Sequence, residues 1–294
     1  MILLFGAGGQ LGTELAQVAA ARGIPLAGLR HGEADIADAA SVSEAIARHR
    51  PTAIVNAAAW TKVDAAEQEP AAAGRANEEG PRQLGRAAAA AGVPVIHVST
   101  DYVFDGTKHG AYREDDPIAP LGVYGATKAA GEAALRQAQP HHVIIRTSWV
   151  YGVHGANILK TALRLARERD ELRFVSDQVG CPTATADLAA AVLAAAQRAT
   201  SADPVHGTFH FAGTGATSWH GFIAHVVAAQ APFTGRQPRV TPIATADFPT
   251  PARRPANSEL DSGLFARTFG VRALPWRDAS EQVVRSLCQS ASPA

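Results

Sequence analysis

The first twelve residues constrain the fold most. Ile2 to Phe5 is a short apolar run, and Gly6-Ala7-Gly8-Gly9-Gln10-Leu11-Gly12 follows it directly. An amphipathic stretch from Thr13 to Ala21 comes next. Strand, glycine turn and helix in that order are the context of a dinucleotide-binding fingerprint. In that reading Gly6 permits a tight turn and Gly9 lets a pyrophosphate reach the backbone at the positive end of the helix. Gly12 lets helix and strand pack closely. The spacing is GxxGxxG, and without its flanking elements the same run reads as a flexible turn.

Further strands and helices alternate along the chain at intervals of about 25–30 residues, the pattern of a parallel sheet covered on both faces. Ile24 to Leu29 reads as the second strand and Ser41 to His49 as a helix capped by Ser41, with Glu44 three residues on. Ala53 to Asn56 reads as a strand, and Trp60 to Glu69 as a polar loop. A long helix is expected over 71–91 and a fourth strand over Val93 to Val98. The fold class is therefore α/β: a Rossmann-type doubly wound parallel sheet with a smaller C-terminal substrate lobe. We assign residues 1–150 to the cofactor domain, with 180–212 returning to it, and 151–179 and 213–294 to the lobe. In the tail, Leu264 to Leu287 reads as one helical stretch.

Ligands of such sheets gather at the C-terminal ends of the strands. The second strand ends at Leu29-Arg30-His31, without the acid that holds an adenosine ribose in NAD-preferring sites. Arg30 either pairs with a 2′-phosphate or is a solvated loop residue. The lean is towards NADPH, with NADH possible. Asp35 and Ile36 follow where a side chain can meet adenine. Ala57, Ala58 and Ala59 are small enough to let a cofactor approach the backbone.

Ser99-Thr100-Asp101-Tyr102 leaves the fourth strand, and Tyr124-Gly-Ala-Thr-Lys128 opens a helix about 24 residues later. Tyrosine and lysine at i and i+4 share one helix face. An ammonium there favours a phenolate and makes the tyrosine a better acid. Alone, the pair is compatible with a solvated helix face. With Thr100 as a hydroxyl donor it is a complete set for ketone reduction: Thr100 orients the carbonyl, Tyr124 gives the proton, and a nicotinamide gives the hydride.

Composition excludes several alternatives. The chain of 294 residues carries 27 basic and 27 acidic groups, so no nucleic-acid footprint is indicated. Cys181 and Cys288 are far apart and read as small buried hydrophobes. The eleven histidines show no metal-ligand spacing, and no metal is predicted. Met1 to Phe5 lacks the basic region of a signal peptide, and no apolar run reaches the ~20 residues of a membrane span. A cytoplasmic protein without membrane contact is expected.

The combination of the glycine turn, VNAAAWTKVDAAE, STDYVFDG, YGATKAAGE, RTSWVYG, DQVGCPT and TPARRPANSEL resembles the extended short-chain dehydrogenase/reductases. Within them it is most similar to the reductases of dTDP-linked 4-keto sugars, over residues 1 to about 262. The resemblance implies NADPH-dependent reduction of dTDP-4-dehydro-L-rhamnose to dTDP-L-rhamnose, a precursor of lipopolysaccharide and cell-wall polysaccharide. It implies Thr100, Tyr124 and Lys128 as the catalytic triad, with Lys128 also on the nicotinamide ribose. Gln10, Leu11 and Gly12 would cradle the cofactor diphosphate. Asp101, Tyr102 and Trp149 would lie on the substrate side, as would Arg254, and with it Arg253, toward the substrate diphosphate. Before the resemblance is weighed, that arginine pair reads equally well as exposed. Some relatives hold magnesium between subunits, and Glu14 and Asp187 fall at comparable places without a complete match. A monomer or a homodimer is expected.

Related nucleotide-sugar 4,6-dehydratases carry Asp-Glu after the catalytic threonine, and those carboxylates handle elimination of water. Here Tyr102 replaces the glutamate, which favours simple reduction. Two alternatives remain: a reductase of another nucleotide-activated 4-ketohexose, and a non-catalytic NAD(P)-binding regulatory subunit of the same fold.

Overall fold

The computed structural model describes residues 1–290. The chain opens with β1 (Ile2–Phe5), α1 (Gln10–Ala21), β2 (Leu26–Leu29), α2 (Ala39–His49) and β3 (Ala53–Asn56). Then come α3 (Val63–Gln68), α4 (Pro70–Gly74), a π-helical turn (Arg75–Glu79), α5 (Gly80–Ala91), β4 (Val95–Thr100), α6 (Val123–Ala138) and β5 (His142–Thr147). The later part supplies β6 (Val150–Tyr151), α7 (Ile158–Glu168), β7 (Glu171–Val175), β8 (Val179–Gly180), β9 (Thr183–Ala184) and α8 (Thr185–Ala199). It ends with β10 (Gly207–His210), β11 (Thr217–Ser218), α9 (Trp219–Thr234), β12 (Arg239–Ile243), α10 (Gly263–Phe269) and α11 (Trp276–Ser290).

Six strands form one sheet in the order β10-β5-β4-β3-β1-β2. Every pairing within it is parallel. Strands β1 and β3 are buried at all four positions, which is why they read as unbroken apolar runs and not as alternating ones. Side chains of β1 alternate between two cores. Ile2 and Leu4 pack with Leu15 of α1 and with the apolar face of α8. Leu3 and Phe5 pack with Ile46 of α2, Leu84 of α5 and Leu135 of α6. The sheet is therefore doubly wound. A separate core joins α7, α9 and α11 through Leu163, Phe222 and Trp276, beside the parallel pair β7–β12.

Several elements depart from the sequence reading. Asp38, not Ser41, caps α2, accepting from the amides of Ala40 and Ser41, so the helix starts two residues earlier. Ser41 accepts the Asp35 amide instead. The stretch read as a loop contains α3, which has no apolar period. Its two acids are held by other parts of the chain: Glu67 accepts the Val123 amide, and Asp64 pairs with Arg254. The long helix over 71–91 is helical throughout but passes through the π turn. The tail breaks into α10 and α11 because Gly270 takes a left-handed conformation at φ 70°.

Candidate active site

The C-terminal ends of the parallel strands place the glycine turn, Arg30, Ala57–Ala59 and Thr100 along one edge. Gly6 sits at φ +88°, and a Cβ there would lie 2.6 Å from the Ala58 nitrogen. A Cβ on Gly12 would fall 2.1 Å from the Gly6 carbonyl oxygen. Both positions therefore demand glycine, one for conformation and both for space. Gly9 precedes α1 with no side-chain cap, leaving first-turn amides to meet an anion. The Leu11 side chain packs on the core. The Gln10 side chain is directed elsewhere: it accepts from Asn157 Nδ2 at 2.6 Å and donates to the Val150 carbonyl at 3.3 Å.

Arg30 is exposed, its aliphatic stem 3.6 Å from where a Gly8 Cβ would stand. Asp35 pairs with Arg75 at 2.7 Å. Burial pushes its carboxyl up, but the Ala37 amide and Arg75 outweigh that and hold it below the usual range. Ile36 is buried against Gly80, whose Cβ would come within 2.5 Å, so it acts as core. Ala57 donates its amide to Phe5 at 3.0 Å, and Ala58 donates to Asn56 Oδ1 at 3.1 Å.

At the end of β4, the Thr100 hydroxyl donates to Asp101 Oδ1 at 3.0 Å and accepts the Tyr102 amide at 3.2 Å. Thr100 also lies near enough to the Tyr124 phenol to act on its pKa. Gly125 makes this approach possible, since a Cβ there would lie 2.1 Å from the Tyr102 carbonyl oxygen. The rings of Tyr102 and Tyr124 meet edge-on at 5.7 Å, and both line a narrow recess with Glu67 and Arg253. The Asp101 carboxyl is buried, with Oδ2 lacking a hydrogen-bond partner, and burial raises its pKa to about 7. The neighbouring Ser258 hydroxyl acts in the opposite direction.

Lys128 follows one turn after Tyr124 and is buried. The tyrosine is a weaker acid here than the spacing suggested. Nζ is directed to the Val98 carbonyl at 2.7 Å, and burial of the phenol end of the half-exposed Tyr124 raises its pKa to about 12. The neighbouring Thr100 hydroxyl acts in the other direction.

Trp149 adopts the left-handed region at φ 47°, which is rare for a bulky residue. Its ring lies parallel to Trp219 with centroids 3.5 Å apart, and it occupies the space a Cβ on Gly180 would need. It is half-buried and not a core tryptophan. Arg254 is already engaged: it pairs with Asp64 at 2.8 Å and bonds the Ala252 carbonyl and the Thr250 hydroxyl. That guanidinium holds the Asp64 carboxyl below its usual range. Arg253 is exposed. Glu14 accepts from the Thr185 hydroxyl at 2.7 Å and Asp187 accepts the Leu274 amide at 3.1 Å. Among the described residues no three His, Cys, Asp or Glu side chains are grouped so as to hold a metal ion.

Residues 1–289 match the family model described as the RmlD substrate binding domain. A dTDP-4-dehydrorhamnose reductase of Sinorhizobium fredii is 46% identical over 255 residues, covering 86% of each chain. Among solved structures, a dTDP-4-dehydrorhamnose reductase of Clostridium acetobutylicum superposes with TM-score 0.90 at 34% identity, covering 97% of this chain and 99% of that one. The Bacillus anthracis dTDP-4-dehydrorhamnose reductase, solved in complex with NADP, gives TM-score 0.89 at 32% identity, with 97% and 98% covered. The chain belongs to the dTDP-4-dehydrorhamnose reductase family.

Several residues around the candidate site carried no sequence signal of their own. Asn77, in the π turn, accepts the Trp60 amide at 2.9 Å and donates to the Trp60 carbonyl at 3.1 Å and the Thr127 hydroxyl at 3.2 Å. It thereby ties the segment after Ala59 to the helix that bears Lys128. Gly131 gives the π turn room, since a Cβ there would lie 1.9 Å from the Asn77 carbonyl oxygen. Trp219, Asp64 and His97 were likewise missed. Glu132 was legible in principle, being the next residue after Tyr124 and Lys128 at four-residue steps on one face.

Proposed function

We propose that this chain is an oxidoreductase that reduces the 4-keto group of dTDP-4-dehydro-L-rhamnose to dTDP-L-rhamnose, using NADPH. The observation that carries the chemistry is the placing of Thr100, at the C-terminal end of β4, beside Tyr124 on α6, with buried Lys128 one helix turn further on. The cofactor fits: Gly6 and Gly12 let the turn pack tightly on the Ala57–Ala58 backbone and on the start of α1, and that uncapped start suits a diphosphate. When bound, NADPH supplies the hydride that adds to the carbonyl carbon.

The chain's own residues do the rest. Thr100 and Tyr124 hold the carbonyl oxygen between two hydroxyls, and Tyr124 transfers its proton there as the alkoxide forms. A phenol with a pKa of about 12 stays protonated throughout the neutral range and so is always ready to donate. Tyr102 stands where the dehydratases' glutamate would be, which favours reduction over elimination. Trp149 supplies a flat wall for the sugar. Arg254 and Arg253 suit the substrate diphosphate, and Arg254 would exchange Asp64 for it.

Among the described residues no helix is long and apolar enough to cross a membrane. A cytoplasmic location suits the two reactants, and the reading fits a monomer or a homodimer equally.

Offering the purified chain dTDP-4-dehydro-L-rhamnose should consume NADPH and yield the L-rhamno product by NMR. No oxidation of either nicotinamide cofactor would return the chain to the regulatory-subunit reading. Arg30→Asp should shift the ratio of kcat/KM for NADPH and NADH towards NADH, and an unchanged ratio removes Arg30 from the site.

A further inference from the structure

Parallel pairing of β3 and β4 sets Asn56 and His97 opposite each other, and both are buried. Asn56 Oδ1 accepts the Ala58 amide at 3.1 Å, so the other end of its amide, Nδ2, faces His97 Nδ1 at 3.1 Å. The reverse orientation would set an NH2 group against the Ala58 N–H, donor against donor. His97 Nδ1 therefore accepts, and the neutral ring carries its proton on Nε2. That N–H is directed at Lys128 Nζ, 3.4 Å away. A neutral amine can accept this hydrogen, whereas an ammonium must face it as donor against donor.

We propose that Ala58 N–H, Asn56 and His97 form a hydrogen-bond chain of fixed direction that presents Nε2–H to Lys128 and weakens the lysine's hold on its proton. His97 is thus a positioning residue for Lys128, and the chain runs from the cofactor groove to the catalytic helix. The inference rests on the reaction proposed above and on Lys128 holding the nicotinamide ribose there as an ammonium.

The surroundings agree. Burial keeps the His97 ring neutral, and the charges that face it, Lys128 and Arg136 on α6 together with His142 on β5, act in the same direction. Burial brings Lys128 to a pKa of about 8, against the opposing charge of Glu132 on its own helix. The remaining partner of Nζ is the neutral Val98 carbonyl.

Two measurements test this on the full-length chain. Long-range 1H–15N NMR should report the Nε2–H tautomer for His97 in the wild type and Nδ1–H in Asn56→Asp, whose carboxylate accepts from both neighbours. The alkaline limb of kcat for reduction, near pH 8 in the wild type, should rise by about one unit in His97→Leu and in Asn56→Asp. His97→Gln, which keeps an N–H near Nζ, should restore the wild-type limb. An Nδ1–H tautomer in the wild type, or a limb that stays put in both folded variants, overturns the proposal. The NMR reading needs no turnover, so it stands or falls independently of the assigned reaction.

Discussion

Helix α6 buries two opposite charges one turn apart, and the protein surrounds them in opposite ways. Glu132 receives four hydrogen bonds: from Ser99 at 2.6 Å, from Arg146 at 2.9 and 2.8 Å, and from Arg136 at 2.6 Å. Burial pushes its carboxyl up, and these partners, Arg146 foremost, more than reverse that. Lys128 has only a backbone carbonyl and an imidazole. Asp101, at the same end of the site as Lys128, keeps one oxygen without a partner. A charge that only holds the structure together is fully compensated, because a half-compensated buried ion is costly. Lys128 and Asp101 are left short of partners, and burial brings their pKa values to about 8 and about 7, the pattern of groups held ready to titrate.

The sharpest way to break this contrast is to empty the compensated side. Glu132→Ala strands Arg146 and should cost about 3–5 kcal/mol of stability in urea unfolding. A loss of turnover with stability intact would erase the distinction. Tyr124→Phe should do the reverse, lowering turnover by at least ~100-fold with little change in Tm or in NADPH affinity. Near-normal turnover would remove Tyr124 as the proton donor.

Asp101 gives a pH test of the uncompensated side. Its folded pKa of about 7 lies above the ordinary value of 3.8. The native state therefore binds the extra proton across that window, and stability falls as pH rises through it. Asp101→Asn removes that cost. Its Tm should exceed the wild type's at about pH 8, and the gap should close as pH falls towards about 4. A gap independent of pH would show that Asp101 does not titrate there. The smallest effect belongs to Ser99→Ala. Removing one of four donors to Glu132 should cost about 1 kcal/mol in thermal unfolding and leave kcat unchanged.

The sheet was legible because each strand and its glycine turn are local patterns. Thr100, Tyr124 and Lys128 could be proposed as a set because they fall in a recognisable order behind that turn. Their partners were not. Asn56 and His97 lie 41 residues apart and meet only through strand pairing. Spacing put Lys128 on the face of Tyr124, but it could not say that Nζ would turn to Val98 O. Sequence order brought Gln10 and Ile36 to the expected groove, yet one side chain turns to Asn157 and the other into the core. Helix α3 escaped notice because what holds its acids, the Val123 amide and Arg254, comes from distant segments.

The π turn at Arg75–Glu79 carries a lesson about insertion and deletion. A helix advances about 100° per residue, so dropping one residue there would give a more regular helix and rotate everything before it by that angle. Asn77 could not then face both Trp60 and Thr127. Such a shortened chain should fold at least as readily and work worse. Screens that reward expression alone would select that deletion, and only a screen for turnover would reject it.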